Sequence, residues 1–445
     1  MSAKAKSIKI KRKTKRNNCD VSGTSGVTIP DIEDIFSDRE TQVIRESLLH
    51  WFDRNQRKLP WRESPDKKRE AVDKSSAAYE VWVSEIMLQQ TRVQTVIDYY
   101  KRWMEKWPTL HDLAQASLEE VNDMWAGLGY YKRARYLLEG SKMVANMEGG
   151  FPKTVGSLRK IPGVGEYTAG AIASIAFKEV VPVVDGNVIR VLARLKAISA
   201  NPKETSTVKL FWKLAGQLVD PSRPGDFNQS MMELGATLCT PLNPNCIACP
   251  VIDHCHAYAL SKKDDTIGVT NYPAKTDKLK QRKEISFVSV VEIIDCCEKG
   301  KFLMVKRPDN GLLAGLWEFP TVKVEKEADL RYVKEEVEEF LAEKFGLDIG
   351  KNGEVIQRND VGKFVHIFSH IRLSVHVEHM VVRVQDQMFG VENRDWKCVD
   401  SAALGSMGLT SGVRKVYRMV QKYKETNLNS TDLPVSGRKK RERTS

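Results

Sequence analysis

The chain has 445 residues, 41% of them hydrophobic and nine of them Trp, so it exceeds one ordinary domain and excludes wholesale disorder. It contains no run of about eighteen apolar residues and no apolar stretch after the first residues, so neither a membrane span nor a secretory leader is expected. Its 70 Lys and Arg against 58 Asp and Glu leave a net +12, and that excess sits entirely at the two ends.

Residues 1–37 read as a basic, disordered tail, with Lys4, Lys6, Lys9, Lys11, Arg12, Lys13, Lys15 and Arg16 and no acid before residue 17. The far end, 426–445, is a second basic tail with five Lys or Arg around Glu442. Such clusters read as nuclear addresses, beside which a mitochondrial pool is compatible, and they suit a nucleic-acid partner. Outside residues 1–16 and 438–443 the chain is formally neutral.

Residues 38–260 carry helical periodicity. From Tyr79 to Trp107 apolar residues recur every three to four positions, at Trp82, Ile86, Val93, Ile97, Tyr100 and Met104. Further helical stretches are expected at Leu113–Trp125, Arg133–Met147, Tyr167–Phe177, Val188–Ile198, Val208–Val219 and Ser230–Leu238, with a charged insertion at Glu63–Ser76. A connector, 261–283, follows. In 284–425 the pattern changes: Ile285–Ile294 and Phe302–Lys306 are β-branched, Ala328–Phe345 is an amphipathic helix, and Lys363–Val377 alternates like a hairpin. The expectation is a multidomain chain, an all-α domain followed by an α+β domain.

Three patterns carry chemistry. Ile161-Pro162-Gly163-Val164-Gly165 joins two helical stretches; Gly163 and Gly165 permit a tight turn, whose helix amides either seat one DNA phosphate or merely close a helical hairpin. Asp185, in Val184-Asp185-Gly186-Asn187, suits a helix N-cap, and a carboxylate there is expected to stay ionised and able to stabilise a nearby cation. Cys239, Cys246, Cys249 and Cys255 fall within seventeen residues, which points to a metal rather than a disulfide framework. Four thiolates could equally hold zinc, although zinc sites usually show two short knuckles and only Cys246–Cys249 is one. His254 and His256 flank the last Cys as alternative ligands or solvated neighbours.

The hairpin, the Asp after it and the Cys-x6-Cys-x2-Cys-x5-Cys spacing together resemble the helix-hairpin-helix DNA glycosylases of the iron–sulfur branch. Trp82-Val83-Ser84-Glu85-Ile86-Met87-Leu88-Gln89-Gln90-Thr91 narrows the resemblance to the MutY type of adenine DNA glycosylase, including its eukaryotic homologues. The implied cofactor is one [4Fe–4S] cluster on the four Cys. Glu85, among Trp82, Val83 and Ile86, should have its pKa raised by burial, so that it can protonate a departing purine and then activate water. Asp185 would support an oxocarbenium-like sugar, with Tyr167 and Asn187 orienting both carboxyls and the water. Gln229 would read the flipped adenine, and Gln90, Thr91 and the wedge Tyr130 would enter the duplex beside the opposing base. Endonuclease III-like relatives, which cleave oxidised pyrimidines as glycosylase/lyases, carry a Lys where this chain has Tyr167. A phenol forms no imine, so a monofunctional enzyme is expected.

Residues 284–425 resemble the Nudix-like domain of the same family, through Leu316-Trp317-Glu318-Phe319-Pro320 and Phe368-Ser369-His370. Aligned on Gly346, only Glu343 keeps an acidic position of a Nudix box, a poor magnesium site that argues against a nucleotide hydrolase. A non-catalytic DNA-binding module is a further alternative, opposed by the presence of acids at both 85 and 185. The resemblance implies a monomeric enzyme acting on double-stranded DNA with 8-oxoguanine:adenine or guanine:adenine mispairs, the tip Phe368, Ser369 and His370 lying at the lesion. No membrane is involved, and no protein partner is legible. The remaining Cys (Cys19, Cys296, Cys297, Cys398) are scattered, and most of the His between His366 and His379 are expected to be structural.

Overall fold

The structure is a computed structural model that describes residues 36–62, 74–276, 280–294, 300–308, 313–324, 330–368, 370–384 and 395–431. Both tails up to 35 and from 432, most of the Glu63–Ser76 segment, Cys19, Cys296, Cys297 and Ser369 lie outside the described residues.

The helical part comprises α1 (Asp38–Asn55), α2 (Lys74–Leu88), α3 (Val93–Lys106), α4 (Leu110–Gln115), α5 (Leu118–Trp125), α6 (Lys132–Ala145), α7 (Val155–Leu158), α8 (Glu166–Phe177), α9 (Gly186–Leu195), α10 (Thr205–Leu218), α11 (Pro224–Thr237) and α12 (His256–Lys263). Two expected helices are each divided. The Tyr79–Trp107 stretch breaks after Leu88, where Gln90 takes a left-handed backbone (φ 54). Leu113–Trp125 breaks at Ala116, because Ser117 and Glu120 form a capping box that starts α5 afresh. Apolar spacing runs through both breaks and so conceals them.

These helices enclose two cores. One is built around Trp82, Trp103, Trp125, Leu137 and Ile172, from α2–α6 and α8. The other, around Leu48, Val191, Phe211 and Phe227, belongs to α1 and α9–α11. Helix α2 is buried without interruption from Val81 to Met87, so it is a central helix rather than an amphipathic surface one. Every apolar side chain fully buried there contributes about 1.5–3 kcal/mol.

The second part holds β1 (Arg282–Ile294), β2 (Gly300–Lys306), β3 (Trp317–Glu318), β4 (Thr321–Val324), α13 (Leu330–Phe345), β5 (Gly353–Ile367), β6 (Ile371–Val384), β7 (Trp396–Val399), α14 (Ser401–Ser406) and α15 (Ser411–Thr431). The described strands form one mixed sheet in the order β3-β2-β1-β6-β5, with β4 on β1 and β7 on β2. Strands β1 and β6 run parallel, and β5–β6 is a long antiparallel hairpin. Alternation along β1 buries Phe287 and Val291 under α13, and Val288 and Val290 under α15.

The two parts touch along α5. Glu119 accepts from the Trp317 indole (3.2 Å) and from Lys397 (3.1 Å), and the Gly408 amide donates to Asp123 (2.7 Å). Leu316 joins the first helical core.

Candidate active site

Glu85 and Tyr167 come from the first core, on α2 and α8. Asp185, Asn187 and Met232 come from the second, on α9 and α11. The expected residues therefore meet at the seam between the cores.

Glu85 is 6% exposed, and its Oε2 accepts a 2.6 Å hydrogen bond from the Tyr167 hydroxyl. Burial pushes its pKa up to about 7; the nearby Asp185 charge adds to this, while the Tyr167 bond and Arg62 oppose it. The Tyr167 phenol is itself driven well above its ordinary range by burial and by Glu85. Its hydroxyl also touches the Met232 sulfur at 3.4 Å.

Asp185 is the N-cap of α9. One oxygen accepts from the Asn187 and Val188 amides (2.9 and 2.8 Å), the other from the Asn187 side-chain amide (2.8 Å). Burial raises its pKa, against these hydrogen bonds and Arg190. All three donors call for an acceptor, which favours the ionised form. The Asn187 side chain is itself fixed, because its oxygen accepts from Arg190 (2.7 Å). Arg190 also donates to the carbonyls of Gly235 and Cys239 (2.7 and 2.8 Å). Gly235 is essential here: a Cβ would come within 2.7–3.1 Å of Asn187, including its backbone.

The hairpin turn lies between α7 and α8. Gly163 adopts φ 76, and a Cβ there would run into the Tyr136 ring at 2.6–2.9 Å. Gly165 differs from expectation. Its φ is −85 and nothing lies within 4 Å of a Cβ, so the turn does not require it. That space opens onto the first amides of α8, which no side chain caps.

Gln90 and Tyr130 are exposed, on adjoining loops, and Thr91 is half-buried beside Gln90. Gln229 lies half-buried on α11 next to Ser230, one turn from Met232. At the β5–β6 hairpin tip, Phe368 donates its amide to Ile371 O and packs its ring edge-on to His366 (4.6 Å), while His370 is exposed. His376 stacks on Phe287 and His379 pairs with Glu292 at 2.8 Å.

Two groups escaped the sequence reading. Glu233, fully buried on α11, is held by Arg57 and Arg62, both at 2.7 Å. Partners some 170 residues apart leave no local pattern. Arg133 is buried on α6, and here a signal existed: it shares the i, i+4 stripe of Leu137, Ser141 and Val144.

The four clustered Cys carry free, half-buried thiols. Arg194 donates to the Cys239 sulfur at 3.3 Å. Burial, and behind it the charge of the other cysteines, pushes Cys249 up to about 12 and Cys255 up to about 11. These thiols are thus close neighbours that need a cation among them to ionise together. Among the described residues no group of three or more His, Cys, Asp or Glu is arranged to hold a single metal ion, so support for a cofactor rests on the donor set.

A model of the HhH-GPD superfamily of base excision DNA repair proteins matches residues 83–217, and a NUDIX domain model matches 290–419. The chain is 55% identical over 416 residues to an adenine DNA glycosylase of Arabidopsis thaliana, an alignment spanning 87% of this chain and 65% of that protein. It is 42% identical over 422 residues to the Homo sapiens adenine DNA glycosylase (86% of this chain, 74% of that one). With that of Mus musculus it shares 41% over 447 residues (91% and 84%). Both family models fall in the same order as the two folded parts, and relatives of this identity run through both, so the chain belongs to the adenine DNA glycosylase family.

Proposed function

We propose that the protein excises adenine from 8-oxoguanine:adenine, and from guanine:adenine, mispairs in double-stranded DNA. The observation that carries this reading is the pairing of a buried, elevated Glu85 with an N-capping Asp185 across one seam. Protonated Glu85 donates its proton to adenine N7 as the N-glycosidic bond breaks, and the base leaves neutral. The Asp185 carboxylate stabilises the positive charge that develops on the sugar. Glu85, now ionised, takes a proton from water whose oxygen bonds to C1′, leaving an abasic site. Tyr167 holds the Glu85 carboxyl and Asn187 holds Asp185. Gln229 reads the extruded adenine, while Gln90, Thr91 and Tyr130 occupy the opened duplex, with Gly163 and the amides after Gly165 seating a phosphate.

Adenine is a normal base, so the lesion must be read on the opposite strand. 8-Oxoguanine differs from guanine by an N7 hydrogen and an oxygen at C8, and a hydroxyl acceptor such as Ser369 pairs with that hydrogen. Ser369 falls outside the described residues; Phe368 and His370 flank it at the tip. One or two such bonds are worth about 1–3 kcal/mol of discrimination.

Borohydride trapping and product analysis test the reaction type. The expected products are free adenine and a strand that breaks only in alkali, with little covalent adduct. Efficient trapping would instead favour a lyase of the endonuclease III kind.

Cys239, Cys246, Cys249 and Cys255 would hold a [4Fe–4S] cluster, which supplies a cross-link for the 239–255 segment when bound. Purified protein should be yellow-brown with about four irons per chain. One zinc and no visible absorbance would contradict the assignment. The basic segments 1–37 and 426–445 are proposed to address the protein to the nucleus, which a tagged chain lacking both would test by losing that distribution.

A further inference from the structure

Arg133 takes no part in the reaction above, yet it is 8% exposed and pairs with no carboxylate among the described residues. Its charge is met by dipoles instead. Nη1 donates to the carbonyls of Ile86 (2.9 Å), Met87 (2.9 Å) and Gln89 (2.6 Å). These belong to the last turn of α2 and its exit, where unpaired carbonyls and the helix dipole concentrate negative potential. Nη2 donates to Thr91 Oγ1 (3.2 Å), Gly129 O (3.0 Å) and Leu128 O (3.4 Å), and Nε to Tyr130 O (3.4 Å). The guanidinium also lies over the rings of Trp125 and Tyr130, 5.2 and 5.3 Å from their centroids.

One planar group thus joins three segments: the turn after Glu85, the Gln89–Thr91 exit and the Leu128–Tyr130 loop. Gln90 and Tyr130 both hold left-handed backbones, φ 54 and 49. That conformation costs about 1–2 kcal/mol for a residue with a Cβ, so the surroundings must enforce it. Lys could not replace the arrangement, because an ammonium lacks the flat fork that spans acceptors on three segments.

We propose that Arg133 is a positioning residue that locks the wedge loop and the Gln90–Thr91 exit in register with the Glu85 turn, so that opening the duplex delivers adenine to its acid. This rests on the adenine-excision reading. It assigns Arg133 to base extrusion rather than to bond cleavage.

The test is single-turnover adenine release by the full-length protein on two duplexes. One carries 8-oxoguanine:adenine; the other carries adenine opposite a tetrahydrofuran abasic analogue, which leaves no pair to break. Relative to wild type, Arg133→Lys should be about 10–100-fold slower on the first and within about threefold on the second. Arg133→Gln, whose planar amide keeps only part of the donor set, should show the same asymmetry at about tenfold, and it decides the matter if Arg133→Lys folds poorly. A readout without chemistry separates this inference from the functional reading. In the Glu85→Gln background, which blocks release, 2-aminopurine at the target position should brighten on binding and brighten less when Arg133→Lys is added. Equal losses on both duplexes, no loss on either, or unchanged brightening would overturn the proposal.

Discussion

Glu85→Gln should lower single-turnover adenine release by about 10³-fold or more while duplex affinity stays near that of wild type. The amide keeps the shape of the side chain and can still accept from Tyr167, but it has no acidic proton for the leaving base and no carboxylate for water. The same substitution should stabilise the fold at alkaline pH. Folding raises Glu85 from 4.5 to about 7, so the folded chain holds this proton more tightly than the unfolded chain does. The stabilisation from that proton is complete below about 4.5 and is lost as pH rises through about 7. Gln escapes this loss. Thermal or urea denaturation should therefore show the variant gaining on wild type by about 2–3 kcal/mol between about pH 5 and pH 8. A rate near wild type would sink the acid role, and a pH-independent stability difference would sink the raised pKa. A site residue kept at a cost in stability is the expected signature of function.

Asp185→Asn should slow release by about 10²–10³-fold, because a neutral amide cannot balance the charge that grows on the sugar. A second consequence follows from hydrogen-bond direction. If the new carbonyl keeps capping the Asn187 and Val188 amides, the new NH2 faces the Asn187 NH2 that it used to accept from. Asn187 must then turn over, which sets its NH2 against the Arg190 guanidinium. One buried donor is left unpaired in either arrangement, at about 1–3 kcal/mol of stability. Asn187→Ala in the Asp185→Asn background should recover stability without recovering rate. Full activity in the single variant would show that Asp185 is only a helix cap.

The particulars show which features the sequence could carry. Helices α3–α6, α8–α11 and α13, strands β1 and β2 and the β5–β6 hairpin were legible through a period of three to four or of two in the chain, whereas α1, α7, α12, α14 and α15 were not read. Helix α2 could not be bounded in this way. It is buried from Val81 to Met87, the apolar spacing resumes at Val93 beyond the short Gln89–Arg92 exit, and Arg133, which meets its last carbonyls, lies more than forty residues away. The four Cys stood out because they fall close together in the sequence. Glu85 was legible only through the ten-residue resemblance, since a lone Glu on a helix has no distinguishing pattern. The meeting of Glu85 with Asp185 at a seam between two cores is a tertiary fact, as is the Arg57–Arg62–Glu233 group. The two glycines that permit the hairpin turn also differ: Gly163 takes a left-handed backbone and Gly165 does not.

The most direct measurement is single-turnover release of adenine from an 8-oxoguanine:adenine duplex between about pH 5 and pH 9, with the freed base identified by mass. The account predicts free adenine, released at a rate that falls about tenfold per unit above pH 7 as the Glu85 proton is lost. No adenine at any pH, or a rate unchanged through pH 9, would contradict it.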